Sequence, residues 1–110
     1  MKLLSRNEEI ILLAIWRLQG NAYGVTIREQ VSKVTGQEWT FGAIYVPLDK
    51  LTRKGYITKS VSQPTPNRGG RSKCLYDLTP QGKSALKMIR EVNEALWQGI
   101  PRFTFDQEDL

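Results

Sequence analysis

Few side chains in this sequence are suited to catalysis or metal binding, whereas positive charges are concentrated in one segment. The chain has no histidine and one cysteine, Cys74, which excludes the usual zinc sites and both Ser-His-Asp and Cys-His nucleophilic catalysis. Between Trp39 and Tyr76, seven bases and one acid give a net charge of +6, while the rest of the chain carries −1. We therefore expect no enzyme, no metal site and no cofactor, and an anionic partner for the basic segment.

The basic segment has two interpretations. A localised basic face is typical of nucleic-acid binding, and random clustering on a solvated surface explains the charge equally well. The bases concerned are Lys50, Arg53, Lys54, Lys59, Arg68, Arg71 and Lys73. Their meaning depends on the helices and strands that carry them.

Capping residues and apolar spacing predict three short helices in the first half of the chain. They run from Ser5 to Leu18, from Tyr23 to Thr35 and from Thr40 to Lys54. The first begins at a capping box of Ser5 and Glu8. From Ile10 to Trp16 it is apolar all round, which predicts burial on more than one side, with a second subunit as a candidate neighbour.

Three details around the third helix are less regular. Glu38 and Trp39 form a candidate short strand before it. Pro47 predicts a bend or a late start of the helix, because proline has no backbone N–H to donate. Trp16 and Trp39 are interpreted as core residues.

A β-hairpin and a fourth helix are predicted in the second half. Two strands, Tyr56–Gln63 and Lys73–Leu78, flank the turn-rich loop Pro64–Ser72. Thr79-Pro80 then begins a helix in the preferred way, a capping hydroxyl followed by proline, and this helix ends near Gln98.

The order helix, helix, helix, hairpin, helix is that of a winged helix-turn-helix, an α+β and mainly α fold. In that fold the third helix enters the major groove, and the hairpin tip, the wing, lies along the backbone or in the minor groove. We expect a winged helix-turn-helix DNA-binding domain at residues 1–80. Residues 81–110 would form a C-terminal dimerisation helix and a short acidic tail, in one compact unit with it.

The predicted elements give the basic residues different roles. Lys50, Arg53 and Lys54 lie toward the end of the third helix and suit phosphate contacts. Arg68 and Arg71 flank two glycines in the loop, where they either approach DNA or simply form a soluble turn. The start of the third helix offers small residues that let the backbone approach the groove floor.

Two stretches of this sequence resemble the PadR-like family of bacterial regulators. The first is Thr40-Phe41-Gly42-Ala43-Ile44-Tyr45 with Lys54-Gly55-Tyr56-Ile57, and the second is Gly69-Gly70-Arg71 followed by Leu75–Gly82. Tyr23-Gly24 matches as well, and the similarity covers about Ser5 to Gly99. The sequence departs from the family where Val46 precedes Pro47, since the family often has proline directly after the tyrosine.

The resemblance implies a winged-helix repressor that binds a near-palindromic operator as a homodimer and often responds to a small aromatic effector. The residues it implies to face DNA are Tyr23, Thr40, Gly42, Ala43 and Tyr45, with Arg68, Gly70 and Arg71 in the wing. Lys73 of the basic segment is a further candidate DNA contact. Tyr45 is alternatively part of the hydrophobic face beside Ile44 and Leu48.

The dimer is predicted to form through the last helix, with help from the first. Its residues would be Leu86, Ile89, Val92 and Leu96, together with Ile11 and Ile15. The stripe on the last helix alternatively packs on the chain's own core. Trp97 is a packing residue or, facing its copy in a dimer, a stacking surface for a planar effector.

The remaining expectations concern location and the alternative function. The longest apolar run, Ile10–Trp16, is far below the roughly 20 residues that span a bilayer, and Glu8 and Glu9 interrupt a superficially signal-like start. We expect a cytoplasmic protein without a membrane partner. The alternative function is a winged-helix docking module that binds another protein without direct DNA readout, because fold alone does not fix function.

Overall fold

Four helices and a two-stranded antiparallel sheet make up the part of the chain that the computed structural model describes, residues 2–62 and 73–101. The elements are α1 (Arg6–Arg17), α2 (Gly24–Thr35), α3 (Phe41–Arg53), β1 (Ile57–Val61), β2 (Cys74–Leu78) and α4 (Pro80–Trp97). Their order confirms the predicted winged helix-turn-helix fold, α+β and mainly α. The predicted wing tip and acidic tail lie outside the described residues.

Side-chain caps begin the helices where the sequence predicts them. The Ser5 hydroxyl accepts the Glu8 N–H at 3.2 Å, and the Glu8 carboxylate accepts the Ser5 N–H at 2.8 Å, which completes the capping box. Thr40 caps α3 and Thr79 caps α4, each with its hydroxyl 3.1 Å from a backbone nitrogen of the first turn. These contacts satisfy amide groups that have no partner within the helix.

The region around α3 differs from the sequence prediction in two ways. Residues Glu38 and Trp39 form no strand; the Trp39 carbonyl instead accepts a hydrogen bond from the Arg28 side chain. The helix begins directly after Thr40 and continues past Pro47, so the predicted late start is wrong. A bend at Pro47 stays a prediction.

The sheet is short and is tied to the helices by backbone hydrogen bonds. Its register pairs Ile57 with Leu78 at one end and Val61 with Cys74 at the other. The Tyr76 N–H donates to the Ala22 carbonyl at 2.8 Å, which fixes β2 to the turn between α1 and α2. The side of the hairpin next to α2 is thereby held in place.

The core is built around α1. Its residues Ile11, Leu12 and Ile15 are at most 2% exposed. They pack in one cluster with apolar residues of the other helices and of the sheet: Ile27, Val31, Ile44, Leu48, Leu51, Ile57, Tyr76, Ala85, Leu86 and Ile89. Burial of this apolar surface is the main stabilising contribution to the fold.

Several residues assigned to an interface or to the core lie elsewhere. Ile11 and Ile15, predicted to contact a second subunit, are buried inside the single chain, and Leu86 and Ile89 are no more than 8% exposed for the same reason. These four side chains are therefore core residues, and of the four Leu86 also lines a surface groove. The prediction for Trp16 is wrong in the opposite sense, because this residue was predicted to lie in the core and 39% of it is exposed.

Trp39, the other predicted core tryptophan, is half-buried. It packs against the edge of the core, and its indole N–H donates to the Thr35 hydroxyl at 3.2 Å. It therefore covers the core between α2 and α3.

A partly buried ion pair joins the start of α1 to the end of α3. Lys54 Nζ lies 2.7 Å from Glu8 Oε2, and the Glu8 side chain is 11% exposed whereas that of Lys54 is 40% exposed. Burial by itself raises the pKa of Glu8. The hydrogen bonds from Lys54 and from the Ser5 backbone, together with the lysine charge, outweigh burial and lower the pKa below 4.5.

We expect Glu8→Gln to lower the free energy of unfolding by about 1–2 kcal/mol at pH 7, since the carboxylate makes charge-assisted hydrogen bonds and its lysine partner is partly solvated. Because the folded pKa lies below the unfolded one, this stabilisation is present above the unfolded pKa and is lost as pH falls through the folded pKa. Denaturant unfolding of wild type and variant measures the loss of stability at pH 7 and at pH 3.

The control for this measurement is Glu29→Gln, which removes one negative charge from an exposed position of α2. A Glu8 variant that loses the same stability at pH 3 as at pH 7 would contradict the ionic origin of the effect.

Candidate nucleic-acid interface

One side of α3 lies in the core and the other is open to solvent. Ile44, Leu48 and Leu51 are fully buried, whereas Tyr45 is 43% and Val46 is 64% exposed. Of the other residues predicted to face DNA from the start of this helix, Thr40 and Gly42 are exposed and Ala43 is half-buried. The structure thus brings these positions together on the open side of the first turns of α3.

An aromatic stack covers the start of this open face. The Phe41 and Tyr45 rings are stacked, with centroids 6.2 Å apart and planes at 24°. The Arg28 guanidinium lies over the Phe41 ring, 4.6 Å from its centroid, while Arg28 Nε donates to the Trp39 carbonyl. Sequence reasoning missed Phe41 and Arg28 as members of this site. The i,i+4 spacing of the two aromatic residues was a usable signal, but no local pattern indicates the contact with Arg28.

Tyr45 also reaches the start of α2. A Cβ atom at Gly24 would meet the Tyr45 hydroxyl well inside 3.0 Å, the distance below which Cβ atoms essentially never approach another heavy atom. Glycine at this position therefore leaves room for the tyrosine. The contact joins the Tyr23-Gly24 motif to the motif of α3 across 21 residues of sequence.

The hairpin supplies a cation at the same place. Lys73, next to β2, lies with its Nζ 3.9 Å from the centroid of the Tyr23 ring, and Tyr23 is the N-cap of α2. Tyr23 and Lys73, both predicted to contact DNA, are therefore adjacent. A cation held over a tyrosine ring at the edge of an open face is positioned to meet a phosphate.

The cations at the end of α3 behave differently from one another. Lys50 and Arg53 are exposed, as a phosphate contact requires. Lys54, also predicted to contact phosphate, is exposed as well and is paired with Glu8; its contact with DNA stays a prediction. The wing residues Arg68, Gly70 and Arg71 lie outside the described residues.

A buried tyrosine lies below this surface. Tyr76 of β2 is 3% exposed, and burial is the main reason that its pKa is raised above 10.0, with smaller electrostatic contributions from its neighbours Cys74, Asp49 and Tyr45. The buried phenol stays neutral and adds no charge beneath this surface.

A second feature lies on the other side of the molecule, between α1 and α4. A groove of about 900 Å³ is lined by Leu13, Trp16, Leu86 and Trp97, with charged residues at its rim. One of these, Lys83, lies with its Nζ 5.4 Å from the centroid of the Trp16 ring.

Exposed apolar side chains lie both in this groove and on α4 outside it. In the groove Leu13 is 47% and Trp97 is 57% exposed; on α4 Leu96 is 68% exposed and Val92 is half-buried. Of the residues predicted for a dimer, Val92 and Leu96 therefore keep accessible surface. Across residues 2–62 and 73–101, the helices lack the combination of length and hydropathy needed to cross a membrane.

Comparison with known proteins identifies relatives of this architecture. The model of the transcriptional regulator PadR-like family matches residues 11–88. The RosR-S1 complex of H. salinarum is similar over 87% of this chain and 78% of that chain, with 25% identity and a TM-score of 0.69. No curated protein sequence is significantly similar.

Two bacterial structures are similar as well. A transcriptional regulator from Clostridium thermocellum has 23% identity and a TM-score of 0.68, over 88% of this chain and 91% of that one. A PadR family transcription regulator from Clostridium difficile R20291 has 24% identity and a TM-score of 0.63, over 87% and 91%.

Proposed function

Because this chain belongs to the PadR-like family of transcriptional regulators, we propose that it is a repressor that binds a near-palindromic operator as a homodimer in the cytoplasm. The observation that carries the proposal is the open face of α3, with Lys50 and Arg53 exposed on the helix and Lys73 held over Tyr23 at the start of α2.

In this proposal the first turns of α3 enter the major groove. The groove is about 12 Å wide and admits a helix. Thr40, Gly42, Ala43 and Tyr45 then face the base edges, and Tyr23 faces the backbone. Lys50, Arg53, Lys54 and Lys73 neutralise phosphates, while Arg68, Gly70 and Arg71 contact DNA from the wing.

The second part of the proposal is the dimer. Residues 81–110 supply the dimerisation helix and residues 1–80 the DNA-binding domain. The apolar residues that remain exposed between α1 and α4, Leu13, Trp16, Leu96 and Trp97, meet their copies across a two-fold axis. A symmetric dimer of this kind places two recognition helices in half-sites about 10–10.5 bp apart, one helical turn of DNA.

The third part concerns the signal. A groove of about 900 Å³ lined by two tryptophans has the size and the apolar lining of small-molecule sites. We propose that part of the groove stays open between the two chains, where a small planar aromatic effector stacks on Trp97.

The experiment that tests DNA binding compares a duplex carrying the upstream region of the protein's own gene with a random duplex, by fluorescence anisotropy at several salt concentrations. Tight, salt-dependent binding that prefers the first duplex is the expected result. Equal weak binding to both would move the operator elsewhere. No binding even at low salt would overturn the proposal in favour of a protein-docking module.

Lys73→Met is expected to weaken binding to specific and random duplexes alike and to reduce the slope of log K against log salt by about 1, because one phosphate contact is lost. The matched control is Lys33→Met, which removes an exposed lysine at the opposite end of α2 from Tyr23. Salt slopes that are equal for the Lys73 and Lys33 variants would remove Lys73 from the interface.

A further inference from the structure

We propose that Phe41 recognises the 5-methyl group of a thymine in each half-site, an inference that rests on the proposed DNA-binding function. Phe41 is the first residue of α3, and base-contacting residues of a recognition helix lie near its start. It is 46% exposed, so that a large apolar surface faces solvent where a DNA base would lie.

The ring is held in place before any DNA is bound. Arg28 lies over it at 4.6 Å and is itself fixed by its hydrogen bond to the Trp39 carbonyl. Tyr45 stacks at 6.2 Å and is in turn seated against Gly24. A side chain ordered in advance loses less conformational entropy on binding, which favours its use as a specific contact.

The neighbouring side chains leave apolar contact as the main means of distinguishing bases at this turn. Gly42, Ala43 and Val46 have no hydrogen-bonding side chain. The hydroxyls of Thr40, which accepts the Ala43 N–H as the helix cap, and of Tyr45 do not form the bidentate pair that distinguishes a purine. Bidentate recognition of guanine or adenine needs arginine, lysine, asparagine or glutamine. The C5-methyl of thymine is the apolar group that base pairs present in the major groove, and phenylalanine is among the side chains that contact it.

The alternative role of Phe41 is purely structural, as a support for Tyr45. A support would affect every duplex equally, because loss of the ring would move Tyr45 whatever the base opposite Phe41. A methyl contact gives a different signature, since replacing thymine with uracil removes one methyl group and leaves the base pairing unchanged. If the effect of removing the methyl group depends on whether Phe41 is present, Phe41 contacts the methyl group. If it does not, Phe41 only supports Tyr45.

The test begins with selection of a binding site from a random duplex library by the wild-type protein. Each thymine of the selected half-site is then replaced with uracil, in both half-sites together, and affinities are measured for wild type, Phe41→Ala, Phe41→Leu and Val34→Ala. Val34 is an apolar control that is 62% exposed near the end of α2. Thermal unfolding of each variant checks that the exposed substitutions preserve the fold.

We expect one thymine position at which loss of the methyl weakens wild-type binding about fourfold per half-site, the effect of about one buried methylene-sized group. Phe41→Ala should be insensitive at that position, Phe41→Leu should keep part of the effect, and Val34→Ala should keep all of it.

Two results would overturn the inference while leaving the proposed function intact. One is a selected half-site without thymine. The other is a set of uracil duplexes that changes the affinities of wild type and Phe41→Ala equally at every position. Failure of the wild-type protein to select any site would instead overturn the proposed function, and the inference with it.

Discussion

Gly82→Ala is expected to lower the free energy of unfolding by about 2 kcal/mol or more, because it forces an extra methyl group into a close-packed contact. Gly82 lies in the first turn of α4, and a Cβ there would come well inside 3.0 Å of the Tyr56 carbonyl oxygen and within 3.3 Å of Leu78. That carbonyl is backbone and already accepts the Thr79 N–H at 3.1 Å. Relief therefore requires α4 to move away from the hairpin.

The loss exceeds what alanine gains as a helix former, which is about 1 kcal/mol relative to glycine. Thermal unfolding should show a midpoint lower by about 10 °C, given a shift of roughly 4–8 °C per kcal/mol for a domain of this size. Gly42→Ala is the matched control. It is also in the first turn of a helix, its nearest neighbour would be Thr40 Oγ1 at 4.0 Å, and it should stabilise the protein. Equal gains for both variants would contradict the tight packing of α4 on the hairpin.

The helix starts and the hairpin could be predicted from the sequence, because they depend on residues that are close together in the chain. Ser5, Thr40 and Thr79 each cap a helix through a hydrogen bond to a residue three positions later, so the whole signal lies within one turn of sequence. The hairpin followed in the same way from two apolar segments and the turn residues between them. Fold class and element order could therefore be predicted without coordinates.

The division of apolar residues between core and surface could not be predicted in the same way. From Ile10 to Trp16 every position is apolar, so the sequence contains no polar face to orient the helix. The position of α1 among the other helices decides that Ile11 and Ile15 are buried while Leu13 and Trp16 are not. For this reason Ile11 and Ile15, the two α1 residues predicted for the dimer, were assigned to the wrong face of the helix.

The candidate site depends on contacts between residues distant in sequence. Lys54 is paired with Glu8 over 46 positions, a contact that no periodicity reveals. Arg28 on Phe41 and Lys73 on Tyr23 are of the same kind. Residue types indicated a DNA-binding surface, but the tertiary fold decides which cations remain available to it.

Leu13→Glu is expected to convert the proposed dimer into monomers and to weaken operator binding about 100-fold or more, because the second half-site is no longer bound intramolecularly. Leu13 lines the groove between α1 and α4 and is 47% exposed in the single chain. A carboxylate there is solvated in the monomer, so the fold should survive. In the dimer it would be moved from water into a contact made largely by tryptophan and leucine side chains, which is costly.

Sedimentation at micromolar concentration measures the oligomeric state, and anisotropy with the operator measures binding. Val61→Glu is the matched control, since Val61 is apolar, 65% exposed and located on β1, away from the groove. It should remain dimeric. A Leu13→Glu variant that stays dimeric and keeps wild-type affinity would show that the α1–α4 groove is not the dimer interface. The two chains would then be held together without α1, through exposed residues of α4 beyond the groove such as Leu96.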